Sequence, residues 1–240
     1  SDNTAVGDNA LGANTTASKN TAVGSSALLL NTTGTENVAV GYLALDAIAT
    51  GNYCTAIGTE ALGANLGSEN TAVGRHALYA NTTGANNVAM GYNALDANTT
   101  ASNNNAIGYG ALGANTTGAN NVAMGHNALT ANTTATANTA VGYTALTANS
   151  SGASNTAVGS AALDANTTGA NNTAVGNASL VTNTTGAENV ASGTSALYYN
   201  TTGTGNVGLG YQAMYYNTTA SNNVAVGKNA LLVNTTGTQN

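Results

Sequence analysis

The fold is decided by residues 138–154, which read NTAVGYTALTANSSGAS. The same pattern returns along the whole chain, and its most regular point is the residue equivalent to Gly142. Each repeat is numbered here from that glycine as position 0, so that Asn138 lies at position −4 and Leu146 at position +4. Fourteen such glycines occur, and twelve of the thirteen spacings between them are 17 residues. A period kept this strictly predicts a single array of stacked repeats over the chain. The repeat glycines are Gly7, Gly24, Gly41, Gly58, Gly74, Gly91, Gly108, Gly125, Gly142, Gly159, Gly176, Gly193, Gly210 and Gly227.

Several positions around each glycine are almost constant. Position −4 is Asn except for Cys54, position −2 is Ala except for Gly208, and position +4 is Leu except for Met214. In an extended segment the side chains alternate, so positions −4 and −2 should share one face and positions −3 and −1 the other. The glycine after this segment indicates a corner that needs a positive φ or a close backbone approach. We expect the aliphatic residue at −1 and the Leu at +4 to form a thin core.

The length of the repeat selects the fold class. Its apolar stretch is too short for a stable helix, because barely two turns would precede the Asn-Thr-Thr segment. A 17-residue unit instead fits one coil of an all-β parallel β-solenoid, with two short strands and two bends, and about 4.8 Å between coils. The Asn column at −4 is expected to form a ladder of amides along the stack. The thin core also suggests that several chains share it, as a homo-oligomer.

Composition excludes several classes of protein. Charged residues are 5% of the chain and Pro is absent, while 42% of the residues are hydrophobic, which indicates an ordered array rather than a disordered chain. The net charge is −6 and the only fixed cations are Lys19, Arg75 and Lys228, so no basic surface exists for nucleic acid. No apolar run approaches the roughly 20 residues of a membrane span. The sequence begins and ends inside a repeat, so we expect residues 1–240 to be part of a longer array without visible caps.

One stretch carries a family resemblance. Asn138–Gly142, followed by Tyr143 and then by Ala145-Leu146, resembles the head repeats of YadA-like trimeric autotransporter adhesins and related NTAVG repeats of bacterial and phage tail-fibre-like proteins. The resemblance extends over the whole chain. It implies a left-handed parallel β-roll, three identical chains around one axis, and a role in surface attachment, with a host surface or a glycan as the ligand.

The residues that break the repeat are the candidates for chemistry. Arg75 and His76 adjoin, and Glu60 lies one coil earlier in the same position as His76, which predicts a surface ion pair rather than a catalytic site. Cys54 replaces a ladder Asn and is expected to be a buried, unreactive thiol. No catalytic residue, cofactor or metal site is predicted. Three aspartates share position +5 but lie three or more coils apart, too far to hold one ion: Asp46, Asp96 and Asp164.

The tyrosines form two groups. Tyr92 and Tyr109 occupy position +1 of successive coils and are expected to stack. A denser group, of Tyr198, Tyr199, Tyr215 and Tyr216, lies on two adjacent coils and is a candidate aromatic contact patch. Two interpretations remain open for that group: contact with a partner or a sugar, or packing within the ladder and between chains, which we favour.

Twelve Asn-Thr-Thr or Asn-Ser-Ser triplets are formal acceptors of N-linked sugar. The simpler interpretation is turn chemistry, because Asn and Thr side chains bond nearby backbone. Two further acceptor sequences begin out of register, at Asn171 and Asn177. The twelve candidate glycosylation sites are Asn14, Asn31, Asn81, Asn98, Asn115, Asn132, Asn149, Asn166, Asn183, Asn200, Asn217 and Asn234.

These patterns lead to three hypotheses of function. The first is a structural or adhesive fibre or stalk segment, assembled as a trimer or filament, on the cell surface, in the extracellular space or on a virion. The second is a glycan-coated extracellular filament. The third is an ice-binding solenoid, which would need Thr-Xaa-Thr pairs on a flat strand face, whereas the Thr-Thr doublets follow an Asn in a turn-like segment. A polysaccharide-processing enzyme is disfavoured, because glycoside hydrolysis requires paired acids that this sequence does not bring together.

Overall fold

A computed structural model of the protein describes residues 2–240. In that range the chain is all-β and contains no helix, and each repeat contributes one strand of three residues at positions −3 to −1. The chain divides into two compact units, residues 2–120 and residues 121–240, each with seven strands. The first unit holds β1 Thr4–Val6, β2 Thr21–Val23, β3 Val38–Val40, β4 Thr55–Ile57, β5 Thr71–Val73, β6 Val88–Met90 and β7 Asn105–Ile107. The second unit holds β8 Val122–Met124, β9 Thr139–Val141, β10 Thr156–Val158, β11 Thr173–Val175, β12 Val190–Ser192, β13 Val207–Leu209 and β14 Val224–Val226.

Within each unit, every strand pairs in parallel with the strand of the next repeat. Equivalent residues face each other, as where Ala140 of β9 pairs with Ala157 of β10. The backbone bonds between adjacent coils have normal length: the Gly159 N–H donates to the Val141 carbonyl at 2.8 Å, and the Thr156 N–H donates to the Asn172 carbonyl at 2.8 Å. One repeat is therefore one coil, and the predicted parallel β-solenoid is confirmed.

The segment that carries Leu is not the second strand that the sequence predicted. Thr144 and Leu146 both have positive φ, at 49° and 56°, so the backbone between the corner and position +7 turns instead of extending. Its N–H groups still bond across coils, since Leu146 donates to Ala162 at 2.9 Å and Thr144 donates to His126 at 3.0 Å. Left-handed conformation is unfavourable for such residues, and the bonds to both neighbouring coils hold them in it.

The core differs from the expected one in its strand residue. Leu146 is fully buried, as predicted for position +4, and Ala140 at position −2 and Ala145 at position +3 are fully buried as well. The residue at position −1 instead points outward, and the side chains of Val175 and Ile57 are 40% and 41% exposed. Strand alternation explains this error, because a buried Ala at −2 forces position −1 to the opposite face. The interior consists of Ala, Leu and Asn, and the strand aliphatics form an outward row.

The corner glycine has a steric cause. Gly142 has φ 140°, and a Cβ at this position would lie 2.5 Å from the carbonyl oxygen of Gly159 in the next coil. Real Cβ atoms do not approach an oxygen so closely. Any side chain here would push the coils apart, which accounts for a glycine in all fourteen repeats.

Candidate functional site

The Asn column at position −4 is a buried ladder, as predicted. The Asn155 N–H donates to the Asn138 side-chain Oδ1 at 2.9 Å, so the backbone of each coil is bonded to the side chain of the preceding one. The Asn155 Nδ2 donates to the Gly169 carbonyl at 2.8 Å within its own coil. Each amide therefore joins one coil to the next and also closes its own coil.

A second buried ladder runs through position +7. The Asn166 Nδ2 donates to the Asn149 Oδ1 at 2.9 Å and also to the Gly169 carbonyl at 2.9 Å. The Gly169 carbonyl thus accepts an amide from both ladders. Sequence reasoning assigned this Asn to a turn and missed its burial. The signal was its constancy, since turn chemistry alone would also admit Asp, Ser or Gly at this position.

This second ladder bears on the twelve candidate glycosylation sites. Sugar transfer uses the side-chain nitrogen, and in Asn166 that nitrogen already donates two hydrogen bonds in a fully buried position. Glycan addition to the folded chain would require the coil to open. The out-of-register Asn171 and Asn177 are exposed instead. Glycosylation itself stays a prediction at every site. Ten of the twelve in-register asparagines are fully buried, and the exceptions are Asn14 and Asn234.

Most side chains with distinctive chemistry lie on one side of the coil, between the corner glycine and the second ladder. We call positions +1, +2, +5 and +6 the variable edge. It carries ten of the eleven tyrosines, both histidines and two of the three Lys and Arg residues. The remaining tyrosine, Tyr53, lies at position −5. Since positions −4, −2, +4 and +7 face inward and hold the coils together, the variable edge and the outward strand face are the surfaces open to a partner.

In the first unit the variable edge contains a shallow cavity of about 130 Å³. It opens at Gly63, which has no side chain between Asp46 and Tyr79 at the same position of the flanking coils. Glu60 bonds His76, which confirms the predicted contact, and the His76 ring stacks on Tyr79 with centroids 5.0 Å apart. Burial raises the pKa of the Asp46 carboxyl, and the nearby Glu60 adds to this effect. The cavity is thus lined by the carboxyl groups of Asp46 and Glu60 and by Tyr79, whose ring stacks on His76.

Arg75 does not take part in that pair. Its guanidinium lies 5.6 Å from the ring centroid of Tyr92, and its Nη1 donates to the Tyr92 hydroxyl at 3.3 Å. Tyr92 in turn stacks on Tyr109 at 5.4 Å with an interplanar angle of 14°, which confirms the predicted stack. These contacts join neighbouring coils along position +1.

The second unit contains the predicted tyrosine cluster. Tyr198 stacks on Tyr215 with centroids 5.0 Å apart, and Tyr199 stacks on Tyr216 at 5.5 Å with an interplanar angle of only 6°. Neighbours within each coil meet edge to face, at 4.8 Å for both Tyr198–Tyr199 and Tyr215–Tyr216. The structure thus brings all four rings into one cluster, of which Tyr199 and Tyr216 are the exposed members, at 40% and 46%.

Cys54 is buried, as predicted, and burial raises the pKa of its thiol. Its Sγ lies 3.4 Å from the Gly67 carbonyl and 3.6 Å from the Asn65 Nδ2. Within residues 2–240 no three His, Cys, Asp or Glu side chains are grouped closely enough to hold an ion. The same range contains no helix long and apolar enough to cross a membrane. Comparisons with protein-family models, curated proteins and solved structures returned no match.

Proposed function

We propose that this chain is a non-catalytic structural segment of an extracellular fibre or stalk, of the surface-adhesin or tail-fibre type. The observation that supports the proposal is that different residues of each coil serve stacking and exposure to a ligand. The constant residues form the contacts within and between coils, as where the side-chain amides of Asn155 and Asn166 both donate to the Gly169 carbonyl. The side chains left for recognition vary from coil to coil along one edge. Such a segment holds a surface at a distance and presents that edge to a ligand.

The outward strand face supports association with further copies of the chain. Positions −3 and −1 carry no charged residue in any repeat, although the net charge is −6. A strip one coil high and about 10 Å wide covers about 50 Å², so the seven strips of each unit present roughly 350 Å² of uncharged surface. Another copy has the same spacing of side chains along this face, so its apolar rows can interdigitate coil after coil.

The test is the state of assembly. The pair Val158→Asp and Val175→Asp places two carboxylates on the strand face, while Asn177→Asp adds one on the exposed variable edge as the control. We expect the unaltered chain and the control to form trimers or filaments by light scattering and electron microscopy, and the strand-face variant to be monomeric with an unchanged circular dichroism spectrum. A compact monomer of the unaltered chain would overturn the proposal.

Ice binding is the second candidate, and the strand face gives it a more specific basis than the Asn-Thr-Thr segments. Thr139, Thr156 and Thr173 pair directly on successive strands, with their side chains on the outward face. Their rows are interrupted at both ends, by Val122 and by Val190. Thermal hysteresis of the purified chain decides between the two functions, and a clear hysteresis that Thr156→Lys abolishes would favour ice binding.

A further inference from the structure

We propose that the tyrosine cluster of the second unit is a binding site for an uncharged saccharide. This inference rests on the proposed function, since it names the ligand class that such a fibre would engage. The exposed rings of Tyr199 and Tyr216 form the contact surface, and Tyr198 and Tyr215 support them from the adjoining position. Edge-to-face and stacked contacts hold all four rings in fixed orientations.

The fold does not require these rings. Position +6 is Ala in nine of the fourteen repeats, and each of these coils has the same three-residue strand. Tyr at this position occurs only in the two adjacent coils of the cluster. The cluster is therefore a local addition to a coil that is complete without it.

The chemistry around the cluster selects the ligand. No charged residue occurs in the segments that surround it, residues 181–185, 198–202, 215–219 and 232–236, which supply Thr hydroxyls and apolar side chains. Tyrosine hydroxyls are protonated at neutral pH and can donate a hydrogen bond, and burial and the neighbouring tyrosines raise the pKa of Tyr215 further. A pyranose ring has an apolar C–H face and a rim of hydroxyls, which matches rings beside neutral donors and acceptors. These segments offer no cation to an anionic ligand, and Lys228, on the same edge, lies over the ring of Tyr211, 5.8 Å from its centroid.

The first unit offers a contrast on the same edge. There the rings of His76 and Tyr79 lie beside the carboxylates of Asp46 and Glu60, and the ring of Tyr92 lies under Arg75. Those aromatic groups are already paired with charges. The cluster of the second unit is instead aromatic and neutral throughout, and this combination distinguishes a neutral saccharide from a charged partner.

The experiment uses the complete chain and soluble hexasaccharides of glucose, mannose, galactose and N-acetylglucosamine, with a hyaluronan fragment of equal length as the acidic comparison. Binding is measured by calorimetry and by tyrosine emission, which is not masked because the chain has no Trp. We expect at least one neutral hexasaccharide to bind, and the variant Tyr199→Ala with Tyr216→Ala to weaken that binding at least tenfold. Tyr42→Ala, which removes an exposed tyrosine from the same edge of the first unit, should leave it unchanged.

A second variant separates the ring from its hydroxyl. Tyr199→Phe with Tyr216→Phe keeps the aromatic faces, so it should retain most of the affinity. The proposal is overturned if no neutral hexasaccharide binds, if the Ala pair binds as well as the unaltered chain, or if only hyaluronan binds. These failures are distinguishable from failure of the proposed fibre, because assembly is tested separately by the strand-face aspartates.

Discussion

Two regions of the chain solve the same packing problem in different ways. In the regular coils of the second unit, Asn155 and Asn166 both donate to the Gly169 carbonyl. In the first unit, Ile48 replaces the position +7 Asn of one coil and Cys54 replaces the position −4 Asn of the next. Both replacements are fully buried. The comparison shows how much of the amide ladder a coil can lose.

The irregular coils keep one amide donor each. Where Ile48 is present, Asn37 still donates to the Gly51 carbonyl at 2.8 Å. Where Cys54 is present, Asn65 donates to the Gly67 carbonyl at 2.7 Å. The two exceptions thus fall in different coils, and neither carbonyl is left without an amide. We infer that one donor per coil is required and that the second is a gain in stability.

The largest effect should come from removing both donors of one coil. Asn155→Ala or Asn166→Ala alone leaves the Gly169 carbonyl one partner, and each should cost roughly 2–4 kcal/mol of unfolding free energy because neighbouring amides also lose bonds. The double variant leaves that carbonyl buried and unpaired, and should exceed the sum by about 1–3 kcal/mol. Urea unfolding followed by circular dichroism measures the three variants.

A matched control separates this effect from general loss of amides. Asn138→Ala with Asn166→Ala also removes two ladder residues, but from different coils, so the Gly152 and Gly169 carbonyls each keep one donor. This pair should be additive. If it shows the same excess as Asn155→Ala with Asn166→Ala, the requirement for one donor per coil is wrong.

An exchange between the regions should give a smaller and asymmetric effect. Asn166→Ile removes the donor to Asn149 Oδ1 and the acceptor of the Asn183 amide, so we expect a cost of about 2–4 kcal/mol. The reverse change, Ile48→Asn, provides a donor near the Asn31 Oδ1, which is buried without a hydrogen-bond partner. It loses apolar burial at the same time, so its net effect should be within about 1 kcal/mol. Equal costs in unfolding experiments would mean that the ladder contributes nothing to the difference.

Cys54 is expected to make the unfolding free energy of the chain depend on pH. Burial raises the pKa of its thiol above the usual 9.0, so above pH 9 the unfolded chain loses this proton while the folded chain keeps it. The stabilising contribution is complete below the unfolded pKa and falls as the pH rises, by up to about 1.4 kcal/mol per unit. Cys54→Asn, which restores the ladder residue, should remove this dependence. The measurement is the difference in unfolding free energy between the unaltered chain and Cys54→Asn from pH 8 to 10. A difference that does not change with pH would contradict the raised pKa of the thiol.

The sequence predicts the coil well and its side chains less well. The spacing of the glycines gives the number of coils, and the constancy of Ala140 and Leu146 gives two of the buried positions. Val141 is misassigned because its aliphatic character suggests a core residue, whereas strand alternation places it outside. Asn149 is misassigned because an Asn in a turn and an Asn in a buried ladder can occur in the same local sequence. Only the positions of neighbouring coils distinguish them, and no single repeat contains that information.

The variable edge shows the same limit. The sequence places Tyr198 and Tyr215 in register, because they are 17 residues apart, and the structure adds that Tyr199 and Tyr216 are the exposed pair. The contact between Glu60 and His76 also follows from their positions in adjacent coils. The cavity beside them does not, since it depends on the missing side chain of Gly63 between two larger neighbours.

The smallest expected effect concerns the turn that replaces the second strand. Thr144 holds φ 49° at position +2, where Asn93 and Asn127 hold 54° and 53° in other coils. Asn tolerates the left-handed region better than a β-branched residue does, so Thr144→Asn should stabilise the chain by about 0.5–1 kcal/mol. Asn93→Thr, the reverse change, should destabilise it by a similar amount. Both positions are on the variable edge, so a shift in the urea midpoint with unchanged assembly would separate the strain of the coil from its role in recognition. No shift in either variant would mean that the inter-coil bonds fully absorb the strain.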